Sequence, residues 1–429
     1  MTSDGAVGRA PVHYGWVILA GGTLCVFAAL GLARFGYSMV LPAMQTALDM
    51  DNTEAGLLAT ANLAGYLILC AIGGALASRF GPRCVITAAL VVVGVGLGLT
   101  GLVHSLPEAV VWRGVTGLGS GAVNVPAMGL VAGWFGRRRR GLAAGIAVSG
   151  SSLGLILLGP TVPQIITRYG DEGWRMCWMG FAGLALVVAL LAVVFLRNRP
   201  CEVGLQPLGA EPEETLAAAP QEKLAWGAVY RSWTVWHLGS VYVAFGFAYI
   251  IYMTFFVKAL VAGGHYTPRE AGSLFMVMGW CSLFCGLIWG TVSDLIGRKR
   301  ALVIVYLVHA LSFSLFALWP TVPGFTLSAV LFGLSAWSIP AIMAAACSDM
   351  LGPRLAPAAL GFVTLFMGVG QALGPTVAGA IGDRAPSLLP AMLLAAAVSL
   401  LGAVGAALLR PVTAVSASPA QAAPIPEDL

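Results

Sequence analysis

Two arginines of this sequence stand inside long apolar stretches, and no carboxylate accompanies them there. Arg34 lies in LARFGYSMVLP and Arg113 in VVWRGVTGLGSG, and near the middle of the apolar segments we find no Asp or Glu. A guanidinium offers its N–H donors in a planar fork that fits a carboxylate, so buried cations without buried acids favour an anionic ligand. Arg34 is the candidate for binding it. The alternatives are that Arg34 snorkels outward or pairs within the protein.

Aromatic and amide side chains on other apolar segments are candidates for contacting the same ligand. Tyr242, Phe245, Tyr249 and Tyr252 follow one another at spacings of 3, 4 and 3, which is typical of one helix face. The alternative is that these rings only pack between helices. Shifting Arg34 by 216 positions, an internal repeat distance described below, gives Ile250, so Arg34 and Tyr249 are expected at one central cavity. Weaker candidates are Asn62, Asn124, Trp280, Ser282, Trp337 and Gln371.

The composition predicts the medium in which these residues are positioned. The chain of 429 residues is 59% hydrophobic and 10% charged, with a mean hydropathy of +0.88, whereas soluble domains carry about a quarter charged residues. A helix needs roughly 20 apolar residues to cross a bilayer. Twelve segments qualify, near 15–42, 56–78, 84–104, 107–134, 141–165, 173–196, 235–260, 271–293, 300–319, 322–348, 356–381 and 386–409. They do not alternate in hydropathy, so we predict an all-α membrane protein rather than a β-barrel.

Three short sequence patterns each occur twice, with nearly the same number of residues between the two copies. They predict that the chain consists of two repeats of one structural unit. LGPTV occurs at 158–162 and 373–377, EAG at 54–56 and 270–272, and GALASRFGPR at 74–83 returns as GTVSDLIGRKR at 290–300. The repeat divides the chain into a bundle at 15–196 and a second at 233–410, joined by a polar linker at 197–232. In LGPTV, the residues Gly159, Pro160, Gly374 and Pro375 are expected to bend helices and permit tight packing.

The basic residues predict the orientation of the chain in the membrane. Most of them fall between alternate segments, at Arg79, Arg83, Arg137–Arg140, Arg197, Arg199, Arg298–Arg300, Arg354 and Arg410. The positive-inside rule then places residues 1–14 and the tail 411–429, which we expect to be disordered, in the cytoplasm. We expect a monomer in the inner membrane of a bacterium, in contact with lipid. The net charge of +5 needs no nucleic acid as partner.

The loop motif resembles the signature loop of the major facilitator superfamily, which lies between helices two and three and again between eight and nine. Gly290, Asp294, Gly297, Arg298 and Arg300 stand at its characteristic spacing. The resemblance implies close helix approach at the glycine and a charged latch that closes the cytoplasmic side, with Arg79 and Arg83 in the first copy. That copy has Ser78 where the pattern has an acid. Arg113 resembles an arginine common in helix four of the superfamily, which implies a structural or gating role.

Other stretches resemble a subgroup, the monocarboxylate transporters and oxalate/formate exchangers. HYGWVI at the first helix, RGLAAGIAVSGSSLG at the fifth and RNRPCEVGLQPLG after the sixth carry the likeness, while GFAYIIYMTFFVKAL resembles a less characterised bacterial branch. LGPTV resembles a glycine–proline motif of the superfamily's antiporters. The subgroup often has a basic residue in helix one, which corresponds to Arg34. Its helix-eight arginine is absent, since GWCSLFCGLIWG offers Ser282 and Gly286 there.

The expected function is therefore carriage of a small organic anion by alternating access, by proton symport or by exchange. An exporter of drugs or other amphipathic compounds is the alternative, and a non-transporting sensor on the same fold is a third. We expect no enzyme, because the sequence has no G-x-S-x-G, no phosphate-binding loop and no metal-ligand cluster. No cofactor or metal is expected either, and the eight cysteines show no paired spacing.

Overall fold

The computed structural model describes residues 13–209, 227–263 and 266–409. The predicted tail 411–429, most of the N-terminus 1–14 and the middle of the predicted linker 197–232 lie outside these ranges. The described residues are almost entirely helical, as the composition predicts.

In the described part of the chain, twelve long helical segments form two bundles. The N bundle consists of α1 (Gly15–Ala47), α2 (Asn52–Phe80), α3 (Pro82–Thr100), α4 (Leu106–Trp134), α5 (Arg137–Tyr169) and α6 (Gly173–Phe195). The C bundle consists of α7 (Trp233–Ala262), α8 (Pro268–Ile296), α9 (Arg298–Leu318), α10 (Val322–Met350), α11 (Ala359–Arg384) and α12 (Leu389–Ala407).

Length and hydropathy identify eleven stretches among the described residues that can cross a membrane. One of them, Arg139–Phe195, contains both α5 and α6, which the 3-10 turn Gly170–Glu172 separates. The eleven stretches therefore correspond to twelve spans, and the predicted fold class is confirmed. Helical backbone is continuous from Ser338, within α10, to Arg384, so the second part of α10 runs on into α11; the apolar stretch of α10 ends at Met350 and that of α11 begins at Ala359.

The repeated EAG marks the beginning of two equivalent helices. Asp51 accepts a hydrogen bond from the Glu54 N–H while the Glu54 carboxylate accepts one from the Asp51 N–H, which is a capping box at α2. Thr267 and Glu270 form the same box at α8. The glutamate of each EAG thus satisfies backbone donors that a helix N-terminus leaves free.

The repeated LGPTV packs against the repeated EAG of the other bundle. A Cβ added to Gly56 of α2 would lie 2.2 Å from the carbonyl oxygen of Pro375 in α11. A Cβ added to Gly272 of α8 would lie 2.2 Å from the carbonyl oxygen of Gly159 in α5. Glycine at these positions lets backbones of the two bundles touch, which is the packing device of membrane helices. We call the membrane side with these contacts the closed side.

The bundles separate toward the other side, where the described chain begins and ends, and we call this the open side. Gly145 and Gly159 share one face of α5 with Ser152, because seven residues are about two helical turns. Ser152 still contacts the C bundle, since its hydroxyl accepts a hydrogen bond of 2.7 Å from Ser282. A Cβ added to Gly145 would meet no described atom within 4 Å, and the same holds for Gly286 on the matching face of α8.

Candidate functional site

Arg34 lies in an irregular part of α1, about midway through the bundle. Residues Phe27–Phe35 form a π-helical segment between two α-helical ones. π-Helical segments are rare in proteins, and those that occur are often found at functional sites. The extra residue in the turn changes the direction of the neighbouring side chains. The Arg34 side chain points between the bundles and is 9% exposed.

Arg34 joins the two bundles through aromatic residues. Its guanidinium lies over the ring of Tyr66 in α2, with 4.3 Å from Cζ to the ring centroid. Its Nη1 donates a long hydrogen bond of 3.4 Å to the hydroxyl of Tyr249 in α7. The same hydroxyl accepts a bond of 2.6 Å from Nε2 of Gln371 in α11. Sequence analysis predicted Arg34, Tyr249 and Gln371 as binding residues, and the structure brings the three together.

The remaining donors of Arg34 are buried without a partner. Nε and Nη2 have no hydrogen bond in the described structure, although both are inaccessible to solvent. These two atoms form one edge of the guanidinium, and that edge is suited to a carboxylate with two parallel hydrogen bonds. Buried donors left unpaired cost free energy, about 1–3 kcal/mol each and more for charged groups.

A narrow cavity extends from Arg34 toward the closed side. Its polar lining residues are Arg34, Tyr37, Ser38, Asn62, Arg113 and Thr254, and apolar residues including Ile250 complete the wall. No described hydrogen bond is formed by the Ser38 or Thr254 hydroxyl, whereas Asn62 donates to the Arg113 carbonyl oxygen at 3.1 Å. The cavity therefore presents hydroxyl groups beside the unpaired guanidinium. Ile250 lies here because it is the repeat equivalent of Arg34.

Two further predicted residues form the second layer of the site. Asn124 donates a bond of 2.9 Å to the Tyr66 hydroxyl and so orients the ring beneath Arg34. Trp337 packs its ring against Phe35 with centroids 5.5 Å apart, and against Tyr249 with centroids 6.4 Å apart. Tyr66 was not among the predicted residues. Its place four residues after Asn62 on α2 was the available signal.

The aromatic stripe of α7 divides between the site and the interior of the C bundle. Tyr242 stacks on Phe245 and Phe245 on Tyr249, with centroids 5.8 and 4.6 Å apart, so this part lines up behind Arg34. Tyr252 instead shares a hydrogen bond of 2.7 Å with Ser328. Three residues rotate the side chain by about 300°, which turns Tyr252 about 60° away from Tyr249.

The structure therefore corrects two predicted contacts. Tyr252 packs among the phenylalanines of the C bundle, Phe256, Phe313, Phe316 and Phe332. Trp280 of α8 is 53% exposed and forms no described hydrogen bond or ring contact with the Arg34 cluster. Neither residue reaches the Arg34 cluster, and neither belongs to the site proposed below.

Arg113 lies within the N bundle and is 1% exposed. Its Nη1 donates 2.7 Å to the carbonyl oxygen of Ala33, beside Arg34 in the π-helical segment. Its guanidinium lies between the rings of Tyr37 and Trp178, at 4.8 and 5.2 Å from Cζ to the centroids. Arg113 thus supports the backbone that carries Arg34, and its contacts are with its own bundle.

The loop motif of the C bundle forms a charged cluster on the open side. Arg298 donates from Nε to Asp349 of α10 at 2.9 Å and from Nη1 to Asp294 of α8. Gly297 ends α8 with φ of 87°, a conformation that glycine adopts without strain. Asp349 was not predicted. A Cβ added to Gly290 would meet no described atom within 4 Å, so the close helix approach expected at this glycine is not present here.

The first copy of the loop is held differently. Ser78 occupies the acidic position and donates to the Gly74 carbonyl oxygen of its own helix at 2.9 Å. The Arg83 N–H instead donates to Oδ1 of Asn198, which follows α6, at 2.9 Å. Arg79 only lies over the ring of Phe80, at 5.3 Å. Among the described residues, the charged cluster of the loop motif is therefore found in the C bundle, and the Asn198 amide takes its place in the N bundle.

A polar cluster that sequence analysis missed joins the bundles at the closed side. The Asp383 carboxylate of α11 accepts hydrogen bonds of 2.8 Å from the N–H groups of Asn52 and Thr53, the first residues of α2. An anion at a helix N-terminus is favoured by the helix dipole. Lys258 of α7 donates to the side-chain oxygens of Gln45 and Asn52. We call these five residues the closed-side gate.

Comparison with known proteins identifies relatives along nearly the whole chain. The model of a family described as uncharacterised MFS-type transporter YbfB matches residues 26–407. The hexuronate transporter of Bacillus subtilis (strain 168) is 24% identical over 376 residues, 85% of this chain and 87% of that protein. Monocarboxylate transporter 11 of Homo sapiens is 25% identical over 405 residues, 91% and 81% of the two chains.

One further protein and one solved structure to which the chain is similar are also transporters. The oxalate:formate antiporter of Oxalobacter formigenes is 26% identical over 253 residues, 58% of this chain and 56% of that protein. A solved structure of a bacterial homolog to the human lysosomal transporter Spinster, inward-facing and occupied, is similar with a TM-score of 0.69 at 15% identity, covering 93% of this chain and 97% of that one. The fold is the one predicted, and these relatives are transporters rather than enzymes.

Proposed function

This chain belongs to the MFS-type transporters of the major facilitator superfamily, and we propose that it carries small organic anions whose carboxylate binds Arg34. The observation that carries the proposal is the buried, unpaired edge of that guanidinium. A carboxylate placed there accepts two parallel hydrogen bonds and neutralises a charge that is costly inside a membrane. Tyr66 beneath the guanidinium and the Tyr249 hydroxyl beside it hold the edge in place.

The relatives support an anionic cargo. The names of three of them specify hexuronate, monocarboxylate, and oxalate and formate, which are all carboxylates. Near Arg34 the described side chains include no carboxylate that would compete for it. The hydroxyls of Ser38 and Thr254 are available to a polar part of the cargo.

We further propose that the two bundles alternate in exposing Arg34 to either side of the membrane. The closed side is held by backbone contacts and by the closed-side gate, while the bundles separate toward the open side. With the predicted orientation, this arrangement admits cargo from the cytoplasm. Transport is coupled to a proton that accompanies the anion, or it proceeds by exchange of one anion for another. The membrane is the inner membrane, with both termini in the cytoplasm.

The test is a thermal-shift screen of the purified carrier with formate, lactate, oxalate and glucuronate. A ligand at 100 times its Kd stabilises the folded state by about 2.7 kcal/mol, which raises Tm measurably. We expect a shift for at least one carboxylate, its loss in Arg34→Ala and a reduced shift in Arg34→Lys, which keeps the charge but not the bidentate edge. Arg300→Ala, an exposed cation on the open side, is the control and keeps the shift.

Two outcomes contradict the proposal. An equal shift in the native carrier and Arg34→Ala would place the anion elsewhere. Shifts from amphipathic drugs, with silence across the carboxylates, would favour the exporter, whose cargo the aromatic rings of Tyr242, Phe245 and Trp337 would then bind.

A further inference from the structure

Lys258 is a further cation on a membrane-spanning helix, near the closed-side end of α7 and outside the Arg34 site. It lies on α7 nine residues beyond Tyr249, about 13.5 Å further toward the closed side at 1.5 Å per residue. Its side chain is half-buried between the two bundles. The ammonium donates to Oε1 of Gln45 and Oδ1 of Asn52, and both acceptors belong to the N bundle.

These acceptors are neutral amides. Asp383, the acid of the closed-side gate, accepts from the backbone and hydroxyl of Thr53 and from the Asn52 N–H. The ion pairs found among the described residues do not include Lys258. The hydrogen bonds of Lys258 in this conformation thus go to amide oxygens, while the carboxylates of Asp383 and Asp51 act on its charge from further away. An anion would accept stronger hydrogen bonds than the amides do.

The face of α7 that lines the Arg34 cavity continues to Lys258. Ile250 and Thr254 both line that cavity, and Lys258 follows at the same four-residue interval. Residues four apart stack on one helix face. One strip of α7 therefore runs from Arg34 to the closed-side gate.

Separation of the bundles at the closed side removes both partners of Lys258 at once. Gln45 and Asn52 move with the N bundle, and Lys258 stays on the wall of the C bundle. Asp383 of α11 stays on the same wall and loses its bonds to Asn52 and Thr53 at the same time. An entering anion therefore competes with Asp383 and with water for Lys258. Carriers of the proposed kind would at that moment meet cargo from this side.

We propose that Lys258 is a second anion-binding position, which receives the carboxylate of the cargo at the closed-side entrance before it reaches Arg34. Lys258 then returns to Gln45 and Asn52 once the anion has moved inward, so closure of the gate follows transfer of the cargo. This inference rests on the proposed function, because it requires an anionic cargo.

The test compares Lys258→Met, Lys258→Gln and Lys258→Arg in proteoliposomes, using the carboxylate of the four-member screen that gives the largest thermal shift. We expect KM for cargo added at the closed side to rise at least tenfold in the Met and Gln variants, with KM for cargo added at the open side unchanged. Arg should keep KM within about threefold, since it retains the charge. Arg269→Gln, which removes an exposed cation on the same side, is the matched control.

A second measurement distinguishes two roles of Lys258, binding of the anionic cargo and holding the closed side shut. Thr254→Cys is buried in the cavity and reacts with an uncharged, membrane-impermeant maleimide from the closed side only when the gate opens. We expect the carboxylate to increase its labelling when Lys258 is present. In Lys258→Met the basal labelling should be higher, because the latch is lost, and the carboxylate should no longer increase it.

The result that overturns the inference is a Lys258→Met carrier with altered basal labelling but native KM at the closed side, which makes Lys258 a latch alone. Failure of the proposed function gives a different result from failure of the Lys258 inference. In the former case no carboxylate shifts the Tm of the native carrier, and the Arg34 variants show the same absence of a shift. That outcome would remove both proposals together.

Discussion

Replacing Gly56 by alanine should open the closed side. The added Cβ would lie 2.2 Å from the carbonyl oxygen and 2.6 Å from the carbonyl carbon of Pro375, and 2.9 Å from Cα of Thr376. All three are backbone atoms of α11, so no side-chain rotation relieves the contact. The methyl group forces α2 and α11 apart, or it prevents their closure.

The geometry fixes the size of the effect. An ordinary van der Waals contact begins at 3.4 Å, so the helices must separate by about 1.2 Å at this point. Such a displacement breaks the bond of 2.7 Å from the Thr60 hydroxyl to the Ala372 carbonyl oxygen. Overpacking costs typically about 1–3 kcal/mol. Because opening relieves it, the population open at the closed side should gain about 5- to 150-fold relative to the closed one.

The assay is a distance measurement between spin labels at Ala47 and Arg384, exposed positions of the two bundles on the closed side. Cys84 and Cys201, the exposed native cysteines, are first replaced by serine. Gly56→Ala should shift the distribution to longer distances. Gly286→Ala is the matched control, since its Cβ meets no described atom and the distances should remain native.

An unchanged distribution in a folded Gly56→Ala carrier would refute the reasoning. It would mean that α2 and α11 tolerate the methyl group by a local shift, and that contact between EAG and LGPTV does not control opening. A shift of equal size in Gly286→Ala would refute it as well, because the cause would then be general loosening of the helices.

Three further predictions concern the site and the open side. Tyr66→Leu should weaken carboxylate binding about 2- to 30-fold by removing the ring beneath Arg34. Tyr66→Phe, which keeps the ring but loses the hydrogen bonds of the hydroxyl with Asn124 and Cys70, should remain within a few fold in the same thermal-shift titration. Asp349→Asn should leave Arg298 with Asp294 as its one carboxylate partner, beside Ser293, and increase labelling of a cysteine reporter on the open side; unchanged labelling would exclude Asp349 from the latch. Gly297→Ala should lower the free energy of unfolding by about 1 kcal/mol, because alanine is strained at φ of 87°, and a native Tm would contradict this.

The fold and the centre of the site were accessible from sequence for physical reasons. A bilayer demands long apolar helices, so composition alone indicated the spans. A charge inside such a span is expensive, so Arg34 stood out without any structure. The repeat then placed Tyr249 opposite it, because equivalent helices of two related bundles face one cavity. Tyr252 was misplaced because a stripe spaced 3, 4 and 3 drifts around the helix as it lengthens.

The closed-side gate and the latch acid were missed for a different reason. Lys258, Asp383 and Asp349 lie near helix ends, where polar residues are ordinary and carry no penalty that a sequence would reveal. Their partners come from the other bundle or from a distant helix, and the partnership of Lys258 with Gln45 and Asn52 belongs to one conformation. A charged residue in the middle of an apolar segment can be recognised from sequence because its burial is costly. Which neutral group pairs with a charged residue near a helix end cannot be read from the sequence.

The two contacts between EAG and LGPTV have the same close backbone packing at glycine but different polar side chains. This difference bears on how the carrier is proposed to open. At the contact of α2 with α11, Asp383 caps α2. Shifting Asp383 by the LGPTV offset of 215 gives Arg168, and shifting Asn52 by the EAG offset of 216 gives Pro268, which has no N–H to donate. The contact of α5 with α8 therefore has no such cap. Under the proposed alternation of the bundles, we expect opening at the closed side to be limited by α2 and α11. Among the described residues, the side-chain hydrogen bond between α5 and α8 joins two neutral serines, Ser152 and Ser282.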